Sequence, residues 1–217
     1  MKYKIFVPFV NNEYLLNEAI ESLRFKGEEN ILLIDNSVKG DLGKEYEDIK
    51  VYQPEVPLFF NQTCNLMQKI AFKENLDFYI FMHSDASVRR ECVERLFTKT
   101  EEKIESGEKW SVIFTYYDTF CSMNTKAMKE IGQWNQHLLQ YFADNFFYRV
   151  CRLKGYPTFE AGGDGVKHFG GATWKSEYER QRANAILYPA FEKLYIEMFG
   201  GPADHETYDK LFNKIDL

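Results

Sequence analysis

Short apolar runs punctuate the first half of the chain at Lys4–Phe9, Asn30–Asp35, Lys50–Gln53, Phe78–His83 and Ser111–Tyr117. Each has strand length. Phe78-Tyr79-Ile80-Phe81-Met82 is apolar at every position, the pattern of a strand covered on both faces. Between these runs the period changes. In Glu13–Arg24 the apolar positions Leu15, Leu16, Ala19, Ile20 and Leu23 recur at helical spacing, and helices are predicted over Tyr14–Phe25, Asn61–Glu74 and Ala86–Glu105. Strands alternating with helices of this length predict an α/β fold, with a mostly parallel central sheet and helices on both faces.

After Tyr117 the pattern loosens. Lys126–Gly132 reads as a short helix with its stop, Tyr141–Lys154 as a longer helix ending at Gly155, and Val166–Phe169 as a short strand. The segment Ala161-Gly162-Gly163-Asp164-Gly165, with Gly170-Gly171 beyond it, reads either as a set of tight turns or as a lid that orders on a ligand. From Lys175 the tail is predicted helical up to Gly200-Gly201-Pro202, with a last short helix over His205–Asn213. No linker, repeat or low-complexity tract divides the chain.

Composition narrows the classes. Hydrophobic residues make up 45% of the 217 and aromatics 17%, enough for a sizeable core and too many for a disordered chain. The formal charge of −6 without a Lys/Arg run disfavours a general nucleic-acid binder. Cys64, Cys92, Cys121 and Cys151 are too widely spaced for a structural zinc site or a disulfide framework. The N-terminus opens as a strand without a secretory pattern, and no apolar run approaches the roughly 20 residues of a membrane span, so a cytoplasmic protein is expected.

Candidate chemistry sits where strands end. Ligands of open α/β sheets bind beyond the carboxyl ends of strands. Asp85, in His83-Ser84-Asp85, follows the most apolar strand and would face that crevice, or else cap the next helix. Asp35, in Asp35-Asn36-Ser37, ends the second strand and could accept a ribose hydroxyl or a base N–H, or form an Asx turn. Asp144 lies among aromatics in the first turn of a predicted helix, where desolvation would raise its pKa toward that of a general base. His168 has metal-ligating chemistry and glycine neighbours that allow close approach, although a lone histidine is more often structural. No Gly-x-Gly-x-x-Gly follows the first strand and no P-loop occurs, which leaves a dinucleotide or nucleoside-triphosphatase site unsupported.

In this order the segments resemble an inverting family 2 glycosyltransferase with the GT-A (nucleotide-diphospho-sugar transferase) fold. The resemblance rests on Val7-Pro8-Phe9-Val10-Asn11, Asp35-Asn36-Ser37, Asn65 with Ala71, His83-Ser84-Asp85 in place of Asp-x-Asp, Ile131-Gly132-Gln133-Trp134, Asp144–Arg149 and His168. It covers nearly the whole chain. It implies a single domain over 1–217, with 1–110 holding the donor, 111–174 the acceptor and catalytic groups, and 175–217 forming a helical tail. It further implies donor contacts from Pro8, Phe9, Val10, Asn11, Asp35, Asn65 and Ser84, a divalent cation (Mn²⁺ or Mg²⁺) on Asp85, His168 and His83, and Asp144 as base. Here His83 replaces the first acid, a change either toward a softer ion such as Mn²⁺ or toward weaker metal binding. Val10 stands where an aromatic often stacks on the base, which shifts base recognition to Phe9 and Asp35.

The activity so implied is transfer of a sugar from a nucleotide-diphosphate donor, commonly UDP-linked, to a hydroxyl of a glycan, protein or other acceptor. A non-catalytic nucleotide-sugar or glycan-binding module is the alternative from another class. A sugar-1-phosphate nucleotidyltransferase is the enzymatic rival, but Phe9-Val10-Asn11-Asn12-Glu13 carries neither the glycine nor the basic residue that chemistry expects after the first strand. The acceptor is not legible: Trp110, Tyr116, Tyr117, Trp134 and Trp174 could form a sugar platform or fill the core.

Overall fold

The computed structural model of the chain describes residues 1–40, 42–175 and 178–210. Its central sheet grows from the N-terminus. Strands β1 (Tyr3–Phe9), β2 (Ile31–Asp35), β3 (Lys50–Tyr52) and β4 (Phe78–Met82) pair in parallel in the order β3-β2-β1-β4. After the short strand β5 (Ala86–Val88) come β6 (Val112–Thr115), β7 (Tyr117–Asn124) and β8 (Thr158–Glu160), which extend the sheet as β4-β7-β6-β8. Of the seven, only β7 runs against its neighbours. The strand β9 (Val166–His168) stands apart and pairs antiparallel with β5.

Helices cover both faces, as the apolar runs require. On one side α1 (Glu13–Leu23) buries Leu16, Ala19, Ile20 and Leu23 against Ile5, Val7 and Phe9 of β1; the single turn α2 (Leu42–Glu45) buries Leu42 in the same cluster. On the other side α3 (Phe60–Glu74) packs Cys64, Met67 and Ala71 against Phe6, Leu32 and Tyr79. The alternation of Ile5, Val7 and Phe9 with Phe6 is the period of two that sends successive side chains to opposite faces. Further along, α4 (Arg90–Glu105) joins the α1 side, while α5 (Thr125–Ile131) and α6 (Ala143–Leu153) join the α3 side. Trp134 stacks on Phe147 at 4.2 Å and 8° in the middle of that second core.

The structure corrects four expectations. Helix α4 starts at Arg90, because Ala86 and Val88 are spent on pairing with His168 and Val166. Its own apolar stripe begins only at Cys92 and Val93. The strand β7 was hidden by its composition: Asp118, Thr119 and Ser122 interrupt a segment that is nonetheless buried from Asp118 to Met123. The short strand β8 sits at the sheet edge, half-buried and paired only with β6. In the tail, α7 (Ala172–Lys175) and α8 (Tyr178–Phe199) are helical, but 205–210 is not; the amides of Thr207 and Tyr208 instead donate to the carbonyl of Phe199. Gly201 permits that fold-back, since a Cβ there would meet the His205 carbonyl at 2.1 Å. The remainder of the helix expected at 205–213 lies outside the described residues.

The 161–165 segment is a packed turn. Arg95 of α4 donates to the carbonyls of Ala161, Gly162 and Asp164, and Gly165 sits with φ +95 against Arg89 and Cys92. No helix among the described residues is long and apolar enough to cross a membrane, and all four cysteines are free and buried.

Candidate active site

Three elements converge beyond the carboxyl end of β4. Its last backbone group is tied sideways: His83 N donates to Thr119 O of β7 at 2.9 Å. The chain then turns through Ser84 and Asp85 into β5. Because β5 pairs with β9 so that Ala86 faces His168, the His168 Nε2 comes to 3.3 Å from Asp85 Oδ1. The other carboxylate oxygen accepts from Ala172 N at 3.0 Å, and the Asp85 carbonyl accepts from Phe169 N at 3.0 Å. Asp85 therefore does not cap the following helix; it anchors a segment more than eighty residues away in the chain.

His83 lies between two acids, with Nδ1 at 3.7 Å from Asp85 Oδ1 and Nε2 at 3.7 Å from Asp118 Oδ1. The His83 and His168 rings meet edge-on at 5.2 Å. One ligand atom from each of His83, Asp85 and His168 can be chosen such that all lie within 4.8 Å of one another. Both Nε2 atoms are buried without a hydrogen-bond partner. His83 Nδ1 and His168 Nε2, the nitrogens nearest Asp85 Oδ1, complete a set of two imidazoles and one carboxylate that fits a divalent cation. Burial opposes the charge on Asp85, yet His168 and His83 outweigh it and hold the carboxyl well below the usual range. Burial likewise opposes charge on His83, and Asp85 with Asp118 raises its pKa overall.

A second pair of acids faces this cluster. Asp118 is the second residue of β7 and accepts from Tyr148 OH at 3.3 Å; Asp144 is the second residue of α6. Burial, then the neighbouring Asp118 charge, pushes Asp144 up to about 6. Burial also raises Asp118, against the pull of His83. Each acid follows a bulky residue in the left-handed backbone region, Tyr117 at φ 48 and Phe142 at φ 59. Such conformations cost on the order of 1–3 kcal/mol and persist where surrounding contacts impose them. Here Tyr117 stacks on Phe114 at 5.8 Å, and Phe142 is held by Tyr188 at 5.2 Å and Tyr195 at 5.5 Å.

His83, Asp85, Asp118, Asp144 and His168 line one cavity of about 430 Å³. Of the residues singled out in the sequence, Pro8, Val10, His83, Ser84, Asp85, Asp144 and His168 form its wall. Phe9, Asn11, Asp35 and Asn65 do not. Phe9 points to the α1 face by strand parity and is 2% exposed, so it is not available to stack on a ligand. Asn65 is used in pinning Trp134, donating to its carbonyl and accepting from its amide at 3.1 and 2.8 Å. Asp35 forms the Asx turn, Oδ1 accepting from Ser37 N at 2.9 Å, while its buried Oδ2 has no partner. Its neighbour Asn36 reaches the cavity instead, fixed by Thr63 and Leu58.

Sequence reading missed Asn36, Phe59, Asp118, Gln140, Tyr141 and Asn184, all in the wall. Asp118 carried a usable signal, an acid between aromatics and a strand, the same one that marked Asp144. The aromatics of the irregular half divide: Trp110 and Trp134 are core, Tyr116 and Tyr117 are exposed, and the Trp174 side chain lies outside the described residues.

Sheet order, with β7 running against its neighbours, and the acid beyond β4 are those of a GT-A-like fold. Solved structures agree. Glucosyl-3-phosphoglycerate synthase from Mycobacterium tuberculosis superposes with a TM-score of 0.63 over 94% of this chain and 81% of its own, at 11% identity. S. aureus TarS gives a TM-score of 0.60 over 86% of this chain at 18% identity, and the chain spans 39% of its length. A cytidylyltransferase from Leptospira borgpetersenii gives 0.55 at 9% identity, covering 96% of this chain and 99% of that one. At these identities the likeness is one of fold. No protein-family model and no curated protein sequence matches the chain.

Proposed function

We propose that this protein is a metal-dependent inverting glycosyltransferase that moves a sugar from a UDP-linked donor to an acceptor hydroxyl. One observation carries the reading: Asp85, His83 and His168 share a 430 Å³ cavity with Asp144, a carboxyl pushed up to about 6 by burial and Asp118. The fold neighbours support it, since TarS has been solved with UDP-GlcNAc and glucosyl-3-phosphoglycerate synthase with Mn²⁺ and UDP-glucose.

In this reading the nucleotide lies across Pro8, Val10, Asn36 and Ser84, with Phe59, 46% exposed at the cavity, as the aromatic face for the base. Asp85, His168 and His83 would hold the cation, which when bound supplies charge stabilisation to the departing diphosphate. Asp144 accepts the proton of the acceptor hydroxyl as its oxygen bonds to the anomeric carbon. The bond to the nucleoside diphosphate breaks on the opposite face, and one displacement inverts the configuration. The half over 1–110 thus serves the donor, 111–174 the chemistry, and the tail closes the acceptor side.

The cytidylyltransferase neighbour favours a second reading, nucleotidyl transfer to a sugar phosphate. That reaction must hold a triphosphate, and no described Lys or Arg lines the cavity. The deciding experiment mixes purified protein, Mn²⁺ and UDP-sugars and measures UDP release. UDP release supports transfer. Pyrophosphate release from a nucleoside triphosphate and a sugar phosphate would replace it with the second reading. Donor binding without release of either would leave a binding module.

A further inference from the structure

The tail helix α8 carries one polar residue where its pattern calls for an apolar one. Its inner face runs through Leu187, Phe191, Tyr195 and Phe199, with Tyr195 and Phe199 buried. Aromatic contacts fix that face on the start of α6: Tyr188 lies 5.1 Å from Tyr141 and 5.2 Å from Phe142, and Phe199 lies 5.3 Å from Phe146. Asn184 occupies the same face one turn before Tyr188. It is 8% exposed, it lines the cavity, and its Nδ2 has no hydrogen-bond partner among the described residues. A buried donor left unpaired is destabilising, a cost that a ligand can remove. An apolar side chain at this position would continue the stripe without it.

The surroundings specify the ligand. Gln140, Tyr141 and Leu187 share the wall with Asn184 and with Asp144. Amides beside an aromatic ring suit a group that presents hydroxyls and a C–H face. The charged side chains of the described wall, apart from the two histidines, are the carboxylates of Asp85, Asp118 and Asp144, and no described Lys or Arg balances them. A phosphorylated or carboxylated acceptor would meet repulsion here.

Resting on the reading above, we propose that α8 and the 140–141 segment form the acceptor subsite, that Asn184 donates to an acceptor hydroxyl, and that the acceptor is an uncharged sugar or polyol. The test compares UDP release by the full chain with Mn²⁺ and UDP-sugar alone, then with free monosaccharides and glycerol, then with glucose 6-phosphate and glycerol 3-phosphate. Acceleration by the neutral set alone is expected. With the best neutral acceptor, Asn184→Ala and the isosteric Asn184→Asp should raise its KM by roughly tenfold, the loss of one hydrogen bond, while the donor Kd stays within about twofold. Ile186→Ala, exposed on the same helix, should leave KM unchanged. Acceleration by the anionic set, or by neither set, overturns the proposal, as does an unchanged KM in both Asn184 variants. Failure of UDP-sugars to bind at all strikes the underlying reading instead.

Discussion

The two halves of this molecule place their functional groups by different means. In the half before Ser111, Pro8 reaches the cavity by the period-two alternation of β1, while Val10 and Asp85 lie just past the carboxyl ends of the parallel strands β1 and β4, with Asp85 tied to Ala172 N. In the half beyond Ser111, Asp118 and Asp144 reach it through an antiparallel strand with a register shift at Phe114/Thr115 and through two aromatics held in the left-handed region. Regular structure suffices to make a ligand shelf. Bringing two carboxylates together needs backbone that the sheet alone does not provide, and that backbone is stabilised by ring stacking.

The largest effect expected from breaking this contrast is at Asp144. Asp144→Asn should lower turnover by about 10²–10⁴-fold while nucleotide-sugar Kd holds, the signature of a lost base. Because burial and Asp118 push Asp144 up to about 6, kcat/KM should rise as pH climbs through that value. Stability moves the other way. The folded state keeps a proton that an unfolded carboxyl near 3.8 has released, so this contribution is present below about 3.8 and lost as pH rises through about 6. Both dependences should flatten in Asp144→Asn, read from pH–rate profiles and from urea melts across pH 4–7. A rate profile of the wild type without a limb near 6 would remove Asp144 from the base role.

Next comes the aromatic support of that half. Phe147→Ala deletes the ring stacked on Trp134 at 4.2 Å and should cost about 3–5 kcal/mol in denaturant unfolding, as for other buried aromatic truncations. An equal truncation in the donor core, Leu16→Ala, should cost about 2–5 kcal/mol but leave residual turnover per folded molecule intact. If Phe147→Ala also leaves turnover per folded molecule intact, ring packing is not what sets the acids.

The cation cluster spans both halves, and its variants rank third. Asp85→Asn and His168→Ala should each weaken Mn²⁺ binding by at least the roughly 10–100-fold that loss of an outer-shell partner already causes, measured by calorimetry. Asp85→Asn should do more, because it also weakens the tether to Ala172 N. Equal Mn²⁺ affinity in wild type and both variants would empty the cluster of its assigned role.

The same contrast explains how much could be read in the sequence. Strands β1, β2 and β4 and helices α1 and α3 were legible because their faces are uniform: Leu15, Leu16, Ala19, Ile20 and Leu23 give a helix no other reading. Asp85 and His168 were legible as candidate ligands and β9 as a short strand, but the ladder that joins them was not, because Ala86–Val88 read as the start of the helix that follows. Strand β7 escaped because its buried polar residues look like a loop. Phe9 and Asn65 were named as donor contacts from the family resemblance; strand parity and the Trp134 loop claim them for packing. Asn184 gave no sign, because its meaning depends on where α8 docks.

The smallest effects should come from the left-handed residues themselves, and they bear most directly on the comparison. Asn75, at φ 51, ends α3 in the donor half and is tolerant there, as asparagine at a helix stop usually is. Asn75→Gly should therefore change stability by less than about 1 kcal/mol and leave turnover untouched. Phe142, at φ 59, sits two residues before Asp144. Phe142→Gly relieves about 1–2 kcal/mol of backbone strain but removes the ring contacts with Tyr188 and Tyr195. Near-zero net change in stability, with turnover down severalfold, is the outcome that fits a strained residue retained for aiming the base. Phe142→Leu, which keeps the backbone demand and part of the packing, should fall between the two in turnover. Should Phe142→Gly prove more stable and equally fast, the strain would be incidental, and the irregular half would owe its geometry to packing alone.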